Sequence, residues 1–413
     1  MKFGLRNTRA LLASVGHPER RFPSIHVGGT NGKGSTSAFL ASILMEAGHT
    51  TGLYTSPHLV RFTERIRVDG TEIDEAQIVE YTNLLRPYIE KEGATFFEAT
   101  TCMAFMYFSD MKIDIAVIEV GLGGRLDSTN VLYPLVSVIT NVSREHTEIL
   151  GNTLSSIARE KGGIIKRGVP SVTGSTDSSV LRTLRVIARK KGVRLHESSK
   201  CVQIGVRRIA GTSLVTMTGR NTSVRAASLG LSGDFQTQNV QTAVAALDVC
   251  LGTRRGRKTL GLISPSDIKK GVINVVTNTG VRGRFETFDR DRRYMLDVAH
   301  NPQAVETLVA SLNVTQQSNL VVVFGVMADK EYDVMIRILA PLAAIIVPVR
   351  PRIARALPIR ELIRSAEAAG IRVNPGGSVA KGIQKASRLA KKGQKILITG
   401  SHYVVAEALE HLR

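Results

Sequence analysis

An α/β protein of two domains is what the sequence predicts, on three observations. Apolar runs of strand length alternate with segments of helical period through nearly the whole chain, the pattern of a mostly parallel sheet covered by helices on both faces. A glycine-rich turn follows the first of these runs and opens a helical pattern. A polar, Gly- and Arg-rich stretch at residues 278–284 interrupts the alternation, which then restarts as an independent unit. The expected division is an N-terminal P-loop domain with a mostly parallel sheet, residues 1–281, and a smaller C-terminal Rossmann-like α/β domain, residues 282–413.

Residues 25–27 are the first strand-like run. Gly28-Gly29-Thr30-Asn31-Gly32-Lys33-Gly34-Ser35-Thr36 then leads into an amphipathic helical pattern over residues 35–47, with Phe39, Leu40, Ile43 and Leu44 on one stripe. That layout aims backbone N–H groups and a helix N-terminus at one spot, with Lys33 to meet bound phosphate charge. Gly34 follows the lysine directly, so the loop departs from the usual Gly-Lys-Ser/Thr form. A purely structural strand–turn–helix stays open at this point.

Strands are expected next at residues 113–120 and 136–140, with helices over 100–109 and 153–165. The first of these strands ends in the carboxylate of Glu119, followed by Gly121-Leu122-Gly123-Gly124. Ligands of open α/β sheets gather at the carboxyl ends of strands, where a carboxylate can hold Mg²⁺ against nucleotide phosphates. His146 follows the second strand and can reach the same edge, although spacing alone favours an ordinary hydrogen-bonded histidine. Leu154, Ile157, Ala158, Lys161, Ile164 and Ile165 share one helical stripe, so Lys161 interrupts an apolar face. Burying an ammonium is costly unless it is paired or neutralised. Spacing leaves three readings open: a snorkelling stem, a buried ion pair, or a lysine of depressed pKa able to add CO₂.

Residues 203–232 carry short alternating runs broken by Gly and Asn, which read as β-hairpins decorating the first domain, and a helix is expected at 236–251. In the second domain, strands are expected at residues 294–297, 320–324, 344–349 and 395–399. Asp297-Val298-Ala299-His300-Asn301-Pro302 is a strand end followed by a proline at a favoured helix-opening position. Phe324-Gly325 and Thr399-Gly400-Ser401 close two more strands, and all three ends are expected to line one cleft facing the first domain.

At 413 residues, 43% hydrophobic and 22% charged, the chain is long enough for two buried cores. Cys102, Cys201 and Cys250 are odd in number and widely spaced, which argues against a disulfide framework or a zinc site and for a reducing compartment. No apolar run approaches the roughly 20 residues of a membrane span, and the N-terminus lacks a secretory core. The expected location is the cytoplasm. The net charge of +20 points to anionic partners. The basic clusters are dispersed and Trp is absent, so a solvated basic surface is favoured over a nucleic-acid interface.

Taken together, these motifs resemble the folylpolyglutamate synthase/dihydrofolate synthase family of the Mur ligase superfamily. The resemblance rests on residues 26–35, Tyr54-Thr55-Ser56-Pro57-His58-Leu59, Glu64-Arg65-Ile66, Phe97-Glu98-Ala99-Thr100 and residues 119–130. Glu145-His146-Thr147, Glu160-Lys161-Gly162-Gly163-Ile164, residues 297–302 and Arg355-Ala356-Leu357-Pro358 complete it. It implies an ATP-driven amide ligation, in which a substrate carboxylate is phosphorylated and the amine of L-glutamate attacks the acyl phosphate. By motif, Gly32, Lys33, Gly34 and Ser35 cradle ATP, and Asn239, Arg284 and Asp297 match nucleotide contacts supplied across the domain interface. Ser56 and Glu119 match holders of one Mg²⁺, and His146 a holder of a second. Lys161 matches a lysine carbamylated in this family. Thr95, Leu126, Asp127 and Ser128 match the pterin side, and His300 and Ser401 would face glutamate. Lys33, Lys161 and His300 are the expected catalytic residues.

Three departures accompany the resemblance. Glu145 stands where the family usually has Asp, and Gly162 where Ala is common. The family also carries a further stretch before the Phe3-Gly4-Leu5 segment, so either the start is assigned downstream of the true one or part of the pterin-side pocket is missing. The expected partners are small molecules, dihydropteroate or reduced folate with L-glutamate, with no nucleic acid, no membrane and a monomeric chain. Two other readings are weighed: a ligase of another carboxylate, such as a peptidoglycan precursor, and a basic NTPase acting on nucleic acid. The Leu126-Asp127-Ser128 and Ser56-Pro57-His58 motifs argue against the first, and the second leaves Lys161 and residues 297–302 unexplained.

Overall fold

A computed structural model describes residues 4–209 and 212–412, so Phe3 of the amino-terminal motif lies outside the described residues. The chain forms two compact units, residues 1–58, 62–230 and 236–281 in one and 59–61, 231–235 and 282–413 in the other. Two short excursions therefore belong to the second unit, a feature the single expected boundary does not include. Their cause is packing: Leu59 and Val60 lie against one of that unit's apolar cores and Phe235 against another.

The first unit is built on an eight-stranded sheet in the order β4-β3-β2-β5-β1-β6-β7-β8. Its strands are β1 (Ser24–Gly28), β2 (Thr51–Tyr54), β3 (Ile66–Val68), β4 (Thr71–Glu72), β5 (Ile115–Glu119), β6 (Val136–Ile139), β7 (Ser171–Thr173) and β8 (Leu195–Glu197). All neighbours pair in parallel except β2 with β3 and β3 with β4. Strand β1 is central, flanked by β5 and β6, and every one of its residues is buried. The chain over 203–228 forms a separate three-stranded antiparallel sheet of β9 (Gln203–Ile209), β10 (Thr212–Thr218) and β11 (Ser223–Ser228).

Two helices differ from their expected form. Helix Lys33–Glu46 is buried continuously from Ser35 to Leu44 rather than along one stripe. It packs against β2 and β5 and also against helices Gln236–Leu251, Pro265–Ile273 and Val275–Thr279, so a second layer covers the face that would have met water. The expected helix over 153–165 ends at Lys161 and continues as a 3₁₀ turn, Gly162–Ile164. Two glycines favour that break, and close packing against backbone requires the second of them. A Cβ on Gly163 would lie 2.4 Å from Arg125 Cα, and one on Gly162 would lie 2.6 Å from Ile187 Cδ1. At position 162 the contact is with the tip of a flexible side chain, so an alanine there would require only that Ile187 shift.

The second unit holds a six-stranded sheet in the order β12-β13-β17-β14-β15-β16. These strands are β12 (Glu286–Thr287), β13 (Tyr294–Leu296), β14 (Leu320–Phe324), β15 (Ala343–Pro348), β16 (Arg372–Val373) and β17 (Ile396–Thr399). Only β12 is antiparallel, paired to β13; the rest is a parallel, helix-covered sheet. No helix among the described residues is long and apolar enough to cross a membrane.

Candidate active site

The carboxyl end of β1 delivers the glycine loop. Gly29 has φ +144°, and a Cβ there would fall 1.9 Å from Thr140 Oγ1 at the end of β6. Gly32 has φ +80°, and a Cβ there would fall 2.3 Å from Asn239 Oδ1. Both positions thus need glycine for close approach as well as for backbone conformation. Hydrogen bonds pin the loop between them: Thr30 N–H donates to Asn141 O at 2.9 Å, Asn31 N–H to Asn141 Oδ1 at 2.8 Å, and Thr140 Oγ1 to Asn31 O at 2.7 Å. Gly32 caps helix Lys33–Glu46 without a side-chain cap bond, so its first turn points bare N–H donors outward from Lys33, Gly34 and Ser35. Lys33 Nζ folds back to Thr30 O at 2.9 Å. A helix N-terminus with N–H donors exposed and a cation at its rim fits a phosphate chain. Asn239 belongs to the same unit as this loop, not to the other side of a domain boundary, because helix Gln236–Leu251 packs directly on helix Lys33–Glu46.

Neighbouring strand ends bring Ser56 against Glu119. Strand β2 pairs with β5 so that Tyr54 opposes Ile118. Just beyond, Ser56 N–H donates to the buried Glu119 carboxylate at 3.2 Å. Carboxylate and hydroxyl oxygens are the hard donors that suit Mg²⁺. His146 takes a left-handed backbone (φ 50°) before the short helix Thr147–Leu150, and its Nε2 lies 3.7 Å from Glu145 Oε1. Among the described residues, no group of three or more His, Cys, Asp or Glu stands ready to hold a metal ion. Serine and lysine atoms would have to complete any coordination sphere built from Glu119 and His146.

Lys161 is 3% exposed, and its Nζ donates to Gly29 O at 2.7 Å, beneath the glycine loop. A snorkelling stem is therefore ruled out. Burial first, and the Lys33 charge second, push its pKa down to about 7, with Glu145 and Asp127 opposing. Its hydrogen-bond acceptor is a carbonyl, so the two carboxylates act on it through the field.

A cavity of about 730 Å³ opens beside these groups and is lined by Ser56, Thr95, Leu126, Asp127 and Ser128 among others. Thr95 lies at its rim because it caps helix Phe96–Asp110, accepting from Glu98 N–H at 3.3 Å, while Glu98 accepts from Thr95 N–H at 2.7 Å. Both Asp127 oxygens are engaged by the protein, one by Thr129 and the other by Leu122 N–H. Phe96 and Phe97, which sequence reasoning left without a role, also line the cavity. Phe96 is 63% exposed, with Phe62 edge-on at 5.8 Å and the Arg65 guanidinium 5.5 Å from its ring centre. The available signal was an aromatic pair directly after a capping threonine, where a soluble helix normally turns polar groups outward.

In the second unit the ends of β13, β17 and β14 stand side by side, joined by Gly400 N–H to Ala299 O at 3.1 Å. Asp297 is buried and accepts from Phe285 N–H and Ala299 N–H, each at 2.8 Å. Burial raises its pKa to about 6 against those N–H groups and the Arg284 charge. The neighbouring Arg284 has a buried Nε with no hydrogen-bond partner. His300 donates from Nδ1 to Val298 O at 2.9 Å, which turns its Nε2 to the opposite side of the ring. Ser401 Oγ accepts from Val404 N–H at 3.2 Å and so begins helix His402–Leu412. The ring of His402, a residue not singled out from sequence, lies 5.0 Å from that of His300.

Comparison with known proteins gives two family matches: the Mur ligase middle domain over residues 27–247 and the Mur ligase, glutamate ligase domain over residues 283–402. The chain is 34% identical over 427 residues to a dihydrofolate synthase/folylpolyglutamate synthase of Bacillus subtilis, covering 100% of this chain and 96% of that protein. Among solved structures it resembles E. coli FolC in complex with DHPP and ADP, with TM-score 0.88, 29% identity, and 100% and 94% of the two chains covered. It also resembles a bifunctional folylpolyglutamate synthase/dihydrofolate synthase with Mn, AMPPNP and L-glutamate bound, with TM-score 0.84, 26% identity, and 100% and 95% covered.

Proposed function

The chain belongs to the dihydrofolate synthase/folylpolyglutamate synthase family of Mur ligases, and from that premise we propose that it adds L-glutamate to dihydropteroate, to reduced folates or to both. It is an ATP-dependent ligase, and in the reading proposed here the amide bond would form by way of an acyl phosphate. The observation that carries this reading is the position of Ser56, which lines the substrate-sized cavity and touches Glu119 beside the glycine loop. A carboxylate in the cavity and a nucleotide on the loop would meet there.

The chemistry needs three things from this chain. The γ-phosphoryl group must be held in line with the substrate carboxylate, a task for the N–H groups of Gly32, Gly34 and Ser35 and the Lys33 ammonium. Asn239, Arg284 and Asp297 would hold the rest of the nucleotide. Bound Mg²⁺ supplies charge compensation on the phosphoryl oxygens. We assign Ser56 and Glu119 to one ion, and His146 with a Lys161 carbamate to a second. Thr95, Leu126, Asp127 and Ser128 would receive the pterin end, with Phe96 as an apolar platform. The glutamate amine must then lose a proton as its nitrogen bonds to the acyl carbon and phosphate departs. His300 would orient that nitrogen or take the proton, and Ser401 would help hold the amino acid. We take a single chain as the working unit, located in the cytoplasm.

Purified protein given ATP, Mg²⁺ and glutamate with dihydropteroate or tetrahydrofolate should yield products heavier by one glutamyl residue per amide formed, read by mass spectrometry. Release of ADP with no glutamylated product from either acceptor would overturn the reading. His300→Ala should raise KM for glutamate about tenfold while KM for ATP stays within about twofold. An unchanged glutamate profile with lost ATP binding would reverse that assignment. Glu119→Ala should lower turnover at saturating Mg²⁺ by about 10²-fold or more, since it removes a charged ligand at the phosphoryl group. Turnover near wild type would move the metal elsewhere.

A further inference from the structure

Behind the loop that floors the cavity, three buried side chains form one hydrogen-bonded chain. His26, in the middle of β1, meets Thr129 Oγ1 through Nε2 at 2.8 Å. The same hydroxyl donates to Asp127 Oδ1 at 2.5 Å, and that oxygen also accepts from Thr129 N–H at 3.0 Å. Asp127 Oδ2 accepts from Leu122 N–H at 2.9 Å, which closes the loop from its other end. All three side chains are buried.

The direction of the chain follows from its protons. A threonine hydroxyl has one proton. Burial raises the Asp127 pKa, opposed by the Thr129 hydroxyl and by the N–H groups of Leu122, Thr129 and Gly121, all of which favour the carboxylate, and a carboxylate can only accept. Thr129 therefore gives its proton to Asp127 and accepts from His26 Nε2–H, which leaves the lone pair on Nδ1. That nitrogen is buried and has no hydrogen-bond partner. Burial, then the charge of Lys166, keep the imidazole neutral, with its pKa lowered to about 3. An unsatisfied buried nitrogen is costly, and an apolar side chain would fill this place in β1 without that cost. What the imidazole supplies in return is its Nε2–H, held at the far side of the cavity loop.

We propose that His26 and Thr129 are positioning residues for the carboxylate substrate. Through Asp127 they lock the loop from Leu122 to Ser128 that floors the cavity, and so set affinity for that substrate without touching it. The inference rests on the proposed function for the identity of the occupant. Its geometric half stands on the hydrogen bonds alone.

The test compares Thr129→Val, which keeps the shape and loses the hydroxyl, with Thr129→Ser, which keeps the hydroxyl. Dihydropteroate affinity in the presence of ADP is measured by calorimetry, KM values by turnover, and the His26 tautomer by nitrogen NMR of the imidazole. Thr129→Val should weaken dihydropteroate binding about tenfold, with Thr129→Ser and the KM for ATP each within about twofold of wild type. His26 should show the Nε2–H tautomer across about pH 5–8 in the wild type, and its Nε2–H resonance should move in Thr129→Val. Unchanged dihydropteroate affinity in Thr129→Val, an equal loss toward ATP, or an Nδ1–H tautomer would each overturn the proposal. Should the wild type glutamylate neither dihydropteroate nor a folate, the proposed function fails, and the tautomer still decides whether the relay exists.

Discussion

Lys33→Ala should cut ligation at saturating ATP and Mg²⁺ by about 10²–10³-fold while the protein stays folded. Two observations separate these effects. The side chain is only partly buried and its ammonium bonds a single loop carbonyl, Thr30 O, so its loss should change stability by no more than about 0.5 kcal/mol. In the reaction, by contrast, the same ammonium would face charge that builds on the transferring phosphoryl oxygens, where nothing else in the loop carries a full positive charge. Lys33 also lowers the pKa of Lys161. Its removal should therefore move the titration of Lys161 upward, readable as weaker uptake of ¹³CO₂ at neutral pH. Near wild-type turnover in a folded Lys33→Ala protein would place the nucleotide elsewhere.

The parts of this site that could be read in sequence are those whose chemistry is local. The run into Gly28 and the glycine turn announce a strand, a loop and a helix start, because each needs a particular backbone conformation at fixed spacing. Lys161 stands out because a cation on an apolar stripe breaks a periodic pattern, and it is indeed buried. What periodicity cannot carry is the second layer. The face of helix Lys33–Glu46 opposite its apolar stripe is covered by helices Gln236–Leu251, Pro265–Ile273 and Val275–Thr279, far away in sequence. Strand β2, four residues with a glycine inside, offers no period to detect. Ser56 was therefore visible only through family resemblance, although pairing of β2 with β5 is what sets it against Glu119. The His26–Thr129–Asp127 chain spans about a hundred residues between its ends, and no local rule joins them.

Lys161 should prove costly to stability and indispensable to activity, and one pair of variants can show both. Burial and the Lys33 charge hold its folded pKa near 7, well under the ordinary lysine value of 10.5. Between those two values the unfolded chain binds a proton that the folded chain has released, so stability rises with pH through that window. Below pH 7 both states are protonated and the burial penalty is present in full. Lys161→Met removes the titration while keeping much of the volume. It should thus melt higher than wild type at pH 6–7 in CO₂-free buffer, and the gap should narrow as pH climbs toward 10. Equal melting temperatures for the two proteins throughout would mean the ammonium is better compensated than its single carbonyl bond indicates. The same low pKa makes the neutral amine available near pH 7. Its nitrogen can bond to the carbon of CO₂ and release a proton, turning a buried cation into an anion able to ligate a metal. Lys161→Ala should lose activity by about 10²-fold or more, and small carboxylic acids in solution should restore part of it by filling the vacated place. Lys161→Arg should not recover, because a guanidinium keeps its charge and forms no stable carbamate at this pH. An alanine variant with full activity, or one that carboxylic acids leave unchanged, would remove the carbamate from the mechanism even if the stability prediction holds.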